Sequence, residues 1–170
     1  MQHSPHLVTF CIPEQRYAVL DHDNHTFNIP DKAVNYAMPV SPDNERHVKQ
    51  LMDEMADALE EPLADLERDL DISPDLLELA WEEAVEDEES DHEITAKSLV
   101  ELIHSHPPKP IEAYKAWKLL KSESSHIFFK ELKSNVRVVS FKAKTKKAVD
   151  ASKVAFCTDP AHAESGICWV

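Results

Sequence analysis

The stretch PIEAYKAWKLLKSESSHIFFKELKSNVRVVSF, residues 110–141, decides the fold. Its first part predicts a helix from Pro110 to about Lys121, with Ile111, Ala113, Tyr114, Ala116, Trp117, Leu119 and Leu120 as the apolar positions. Lys115, Lys118 and Lys121 follow one another at intervals of three, so they share one face of that helix. Ile127 to Leu132 and Val136 to Phe141 are rich in aromatic and β-branched residues, and Lys133-Ser134-Asn135 between them has turn character, which predicts a β-hairpin.

Working outward, two more helices precede this unit. Thr95 is placed to cap a helix containing Ala96, Leu99, Val100, Leu102 and Ile103, which the run His104 to Pro110 stops. Ser73-Pro74-Asp75 opens another, with Leu76, Leu77, Leu79, Ala80, Trp81 and Ala84 inside it, and the acidic run Glu86 to Asp91 reads as a solvated loop. Three helices followed by a hairpin is the layout of a winged helix, here residues 73–150. From Lys142 onward, Lys144, Lys146 and Lys147 read as a basic linker, and residues 151–170 as a tail without sustained period.

Before the winged helix, Ser41-Pro42-Asp43-Asn44-Glu45 carries helix-start chemistry, and Val48, Leu51, Met52, Met55, Ala56 and Leu59 recur at helical spacing. A second short helix is expected after Pro62, with Leu63, Leu66 and Leu70, so residues 42–72 form an acidic helical hairpin. Residues 1–41 hold three short strand signals, Leu7 to Phe10, Arg16 to Leu20 and His25 to Ile29, separated by turns at Pro13-Glu14 and Asp21 to Asn24. A small SH3-like β unit leaning on the following helices is expected there. The fold class is therefore α+β, mainly helical.

The composition excludes several classes of function. The chain has 170 residues and a single glycine, Gly166, so it cannot build a glycine-rich phosphate loop, a nicotinamide-binding turn or a nucleophile elbow. No apolar run is long enough to span a bilayer, and no signal peptide is evident, so a cytoplasmic protein is expected, with an organellar matrix or stroma as the alternative. The three cysteines, Cys11, Cys157 and Cys168, are too few and scattered for a disulfide framework. Cys157, Asp159, His162 and Cys168 lack the paired spacing of a zinc site, and His104 and His106 fit a helix end. Asp69, Asp71 and Asp75 are read as capping and solvation. No cofactor, metal or catalytic residue is expected.

The net charge of −14 is unevenly spread. Residues 1–41 carry −2, residues 42–93 carry −18, residues 94–150 carry +7 and residues 151–170 carry −1. A phosphate backbone would be attracted only to the third segment. The expected nucleic-acid contacts are Lys115, Lys118 and Lys121 on the helix with Lys130, Lys133 and Arg137 on the wing, for RNA or DNA. A solvated lysine face is the plain alternative. A different reading has the acidic segment 42–93 docking on a basic protein, such as a ribosomal protein or a nuclease subunit.

Leu7 to Phe10, Arg16 to Leu20, His25 to Tyr36, the run Pro74 to Glu82, Ala113 to Leu120 and Ile127 to Lys130, in that order, carry a likeness. Over residues 7–141 the chain resembles the N-terminal accessory region of the ribonuclease II/R family of exoribonucleases, in its cyanobacterial and organellar branch. The resemblance implies a module that admits RNA or partners ahead of a catalytic domain. The magnesium-holding aspartate cluster of that family's catalytic domain has no counterpart here. A non-catalytic RNA-binding adaptor is the resulting expectation.

Overall fold

The computed structural model describes residues 7–12, 16–21, 23, 25–37, 45–86, 91–134 and 137–159. At the N-terminal end, β1 (Leu7–Ile12), β2 (Arg16–Leu20) and β3 (Thr26–Pro30) form an antiparallel meander in the order β1-β2-β3. The β2–β3 turn is closed by Asp21, whose Oδ1 accepts the backbone N–H of Asp23 at 2.9 Å and of His25 at 2.8 Å. Among the described residues the unit is an open sheet; closure into an SH3-like barrel would need strands beyond these three. A 3-10 turn over Asp31–Ala33 then delivers Tyr36 against Tyr114 and Trp117, with ring centroids 5.1 and 5.0 Å away.

The helical hairpin is α1 (Glu45–Glu60) and α2 (Leu63–Leu70). The proposed start signal at Ser41 to Asn44 lies outside the described residues. With glycine all but absent, left-handed backbone falls to other residues. Asp71 ends α2 at φ 50°, and Asp91, His92 and Ser105 have φ of 51°, 61° and 57°. Short polar side chains tolerate that region best after glycine.

The winged helix follows in the expected order. It comprises α3 (Pro74–Glu86), a two-residue strand β4 (Glu93–Ile94), α4 (Ala96–His104), α5 (Pro110–Leu120), a one-turn α6 (Ser125–Phe128), β5 (Phe129–Ser134) and β6 (Arg137–Ala143). Thr95 caps α4 as predicted: its Oγ1 accepts the Ser98 backbone N–H at 3.1 Å while Ser98 Oγ accepts that of Thr95 at 2.7 Å. The sheet order is β4-β6-β5, so β6 is central and the wing is tied back to the helices.

Two expectations need correction, and one short strand was not expected. Ile127 and Phe128 belong to α6 and not to the first wing strand, because both turn inward on a helical corner, 3% and 0% exposed; a short apolar run does not tell a buried turn from a strand. β4 went unread, since a pair of residues has no periodicity. The supposed linker after Lys142 completes β6 and then forms α7 (Lys146–Thr158), which crosses position 150. Val149 is buried on it, Phe156 packs against the core, and Lys153 donates to Glu78 Oε1 at 2.5 Å on α3.

One continuous core joins hairpin, winged helix and α7 through Ala58, Leu70, Ile72, Leu77, Trp81, Leu99, Leu119, Phe128, Phe141 and Val149. Trp81 donates its indole N–H to Lys144 O at 2.7 Å, and Trp117 its own to Val138 O at 3.4 Å, so Trp117 ties α5 to the wing and Trp81 ties α3 to the residue that follows β6. No helix of the described residues is long and apolar enough to cross a membrane.

Candidate functional site

The lysine face of α5 divides at its middle. Lys115 points at the hairpin, where its Nζ lies 2.9 Å from Glu61 Oε2 and 2.8 Å from Asp69 Oδ2. Burial pulls the pKa of Lys115 down, but the Asp69 and Glu61 hydrogen bonds and charges outweigh it, so the net shift is upward. The hydrogen bond from Lys115, first of several causes, holds the Asp69 carboxyl below its ordinary 3.8. Asp69 is thus the partner of Lys115 as well as part of a solvated helix end.

Lys118 is engaged more deeply. Its Nζ donates to Ala58 O at 2.7 Å, Leu59 O at 3.0 Å and Glu61 O at 3.1 Å, the carbonyls left without intrahelical partners where α1 ends. Burial lowers the pKa of Lys118. The three carbonyl dipoles replace the water its ammonium has lost.

Lys121, by contrast, is exposed and lies 4.4 Å over the Trp117 ring, a cation–π contact that orients the side chain without neutralising it. On the wing, Lys130 is exposed and sits opposite Lys142 in the β5–β6 register. Lys133 is exposed at the far end of β5, with Glu131 Oε2 at 3.3 Å. Arg137 begins β6 opposite Ser134, and its side chain lies outside the described residues. The six predicted residues therefore separate. Lys115 and Lys118 bind the hairpin, while Lys121, Lys130 and Lys133 present their charge outward from the end of α5 and the wing.

Sequence reading did not find the acceptors of Lys115 and Lys118, because they lie 46 to 60 residues away along the chain. The available signal was compositional: a strongly acidic hairpin next to a basic helix. Among the remaining candidates, His104 Nε2 donates to Leu70 O at 2.7 Å, tying α4 to the end of α2, and its ring stacks on that of His106 with centroids 5.8 Å apart. Asp21, Asp23 and His25 bring possible ligand atoms within 4.8 Å of one another, and these three residues lie in the β2–β3 turn. Cys157 lies half-buried on α7; Cys11 has no described side chain, and His162 and Cys168 lie outside the described residues.

Because Asp69 is held below its ordinary value, its contribution to the α2–α5 contact is fully present above pH 3.8 and is lost as pH falls through the depressed value. Asp69→Asn is therefore expected to flatten the acid limb of unfolding below about pH 4 while leaving the limb above pH 5 parallel to wild type. Urea titrations at stepped pH, followed by tryptophan fluorescence, measure this; parallel curves throughout would show that the ion pair is immaterial.

Residues 63–148 match the model of the ribonuclease II winged helix domain. No curated protein and no solved structure matches the chain.

Proposed function

The chain belongs to the family of ribonuclease II winged helix domains, and on that premise we propose that it is a non-catalytic accessory module that contacts RNA through the wing and the end of its third winged-helix helix. The observation that carries this reading is the division of the lysines. Lys121, Lys130 and Lys133 remain outward on α5 and β5, whereas Lys115 and Lys118 hold the acidic hairpin in place. Outward lysines on a wing suit phosphate, which fixes position on a strand without reading its sequence. Trp117 is buried beneath Lys121, so the contact is electrostatic and not a base-stacking platform.

The module acts by presentation. The −18 of residues 42–93, the segment that includes α1, α2 and α3, lies away from the wing in the chain, and it disfavours RNA lying across the hairpin. A strand is thereby confined to the basic edge. A second reading, docking of the acidic hairpin on a basic protein, is favoured by the exposed Asp53, Asp57 and Glu60 on α1, which have no cationic partner among the described residues.

Fluorescence anisotropy of the full chain with a short labelled single-stranded RNA tests the first reading. Neutralising three phosphates predicts that log affinity falls by about 2 per log unit of salt, from about 0.7 for each contact. The triple variant Lys121→Ala, Lys130→Ala, Lys133→Ala should remove most of that slope. Neutralising Asp53, Asp57 and Glu60 as Asn and Gln should strengthen binding; deletion of the hairpin is unsuitable, because α1 and α2 lend Ala58 and Leu70 to the core. No binding at low salt, or a slope unchanged by the triple variant, would turn the reading toward the protein partner.

A further inference from the structure

We propose that a groove between α3 and α4, on another part of the winged helix than the RNA-contacting lysines, is a docking site for a basic amphipathic helix of a partner protein. The groove holds about 370 Å³ and is lined by Leu76, Leu79, Ala80 and Ile103 at its floor and flank, with Leu102 and the carboxylates Glu82, Glu83 and Glu86 around it. Two of its leucines are unusually open: Leu79 is 57% and Leu102 42% exposed. Leu79, Glu83 and Glu86 stand on one stripe of α3, four and then three residues apart, so an apolar anchor point runs directly into an acidic rim.

The sequence already holds the reason for this exposure. The run Pro74 to Glu86 has Leu76, Leu77, Leu79, Ala80, Trp81, Ala84 and Val85, more apolar positions than one helical face can bury. Leu77, Ala80, Trp81 and Ala84 take the core, and Leu79 is left outside beside Leu102 of α4. Glu78, on the α7 side of the same helix, has Lys153 as its cation. Glu82, Glu83 and Glu86 have no cationic partner among the described residues, although α3 contains no basic residue to repel one.

Charge decides the occupant. RNA is disfavoured by the three carboxylates. A second copy would bring the same acidic rim against itself. The residues after Asp159 contain neither lysine nor arginine, so that segment has nothing to answer the rim. A helix with apolar anchors at i, i+3, i+4 and i+7 and lysines or arginines beside them satisfies both parts of the surface, the leucines by burial and the rim by complementary charge. An open groove of this size takes a few anchoring side chains, which fits a reversible contact.

The test is a titration of the full chain with a fluorescein-labelled helical peptide carrying leucines at those anchor positions and flanking lysines. Two controls accompany it, one with glutamate for the lysines and one with serine for the leucines. The expected result is saturable binding of the first peptide, weakened about tenfold or more by Leu79→Ser with Leu102→Ser, and likewise by Glu82→Gln, Glu83→Gln and Glu86→Gln together. Both control peptides should bind at least about tenfold more weakly. All five positions are at the surface, and circular dichroism of each variant establishes that the fold is retained. Equal binding of the leucine and serine peptides, or binding indifferent to the leucine substitutions in a folded variant, would overturn the proposal by reducing the contact to general charge. Failure of RNA binding leaves this result untouched, because the lysines on α5 and the wing take no part in it.

Discussion

Replacing Lys118 by methionine is expected to destabilise the protein by about 2–3 kcal/mol, which is large for a lysine that is not fully buried. Methionine keeps the apolar stem and removes only the ammonium. That ammonium donates to three carbonyls at the end of α1, and each has its next-best partner in water reaching past the α1–α5 contact. A hydrogen bond from a charged donor contributes about 1.5–3 kcal/mol, and a cation at a helix C-terminus about 0.3–1 kcal/mol. Partial hydration of the freed carbonyls offsets some of that sum. Urea unfolding read through tryptophan fluorescence measures the loss, and a change below about 0.5 kcal/mol would place Lys118 among ordinary surface lysines. The same variant should leave the slope of RNA affinity against salt unchanged, whereas Lys121→Ala should reduce it by about 0.7. That contrast separates a lysine that builds the interface from one that contacts its ligand.

Phe128→Ala is expected to cost more, about 3–5 kcal/mol. Phe128 has no exposed surface and sits where α3, α6 and α7 meet. Its ring is 6.1 Å from Trp81 and 6.5 Å from Phe129, and the Lys153 ammonium lies 5.5 Å from its centroid. Truncation opens a void whose walls are held in place by Trp81's hydrogen bond to Lys144 and by the Lys153–Glu78 ion pair, so collapse into the gap is resisted. Against the 5–15 kcal/mol that stabilises a typical domain, roughly a fifth or more of the total would be lost. Equilibrium unfolding in urea gives the value directly. A loss near 1 kcal/mol would mean that α7 does not pack on the winged helix as described.

Local signals in the sequence determined most of the elements. Thr95 with Ser98, Lys109 with Glu112 and the 3.6-residue spacing of the apolar positions fix α4 and α5 through contacts within one turn, so neighbouring residues alone suffice. Runs rich in β-branched and aromatic residues, with turn residues between them, likewise point to β1 to β3 and the wing, and the order of elements leads to the winged helix. The excess of leucines on α3 was also legible, although only the folded chain shows which of them the core leaves outside. Tertiary structure decided the rest. β4 exists because β6 offers it an edge, and α6 exists because Phe128 must turn into the core. α7 is held by Val149 and by the pairing of Lys153 with Glu78, on α3 and 75 residues away in sequence. The lysines show the distinction most plainly. Spacing puts Lys115, Lys118 and Lys121 on one face of α5, but what each ammonium meets depends on how the hairpin packs there, because electrostatic partners are chosen by distance in space and not along the chain.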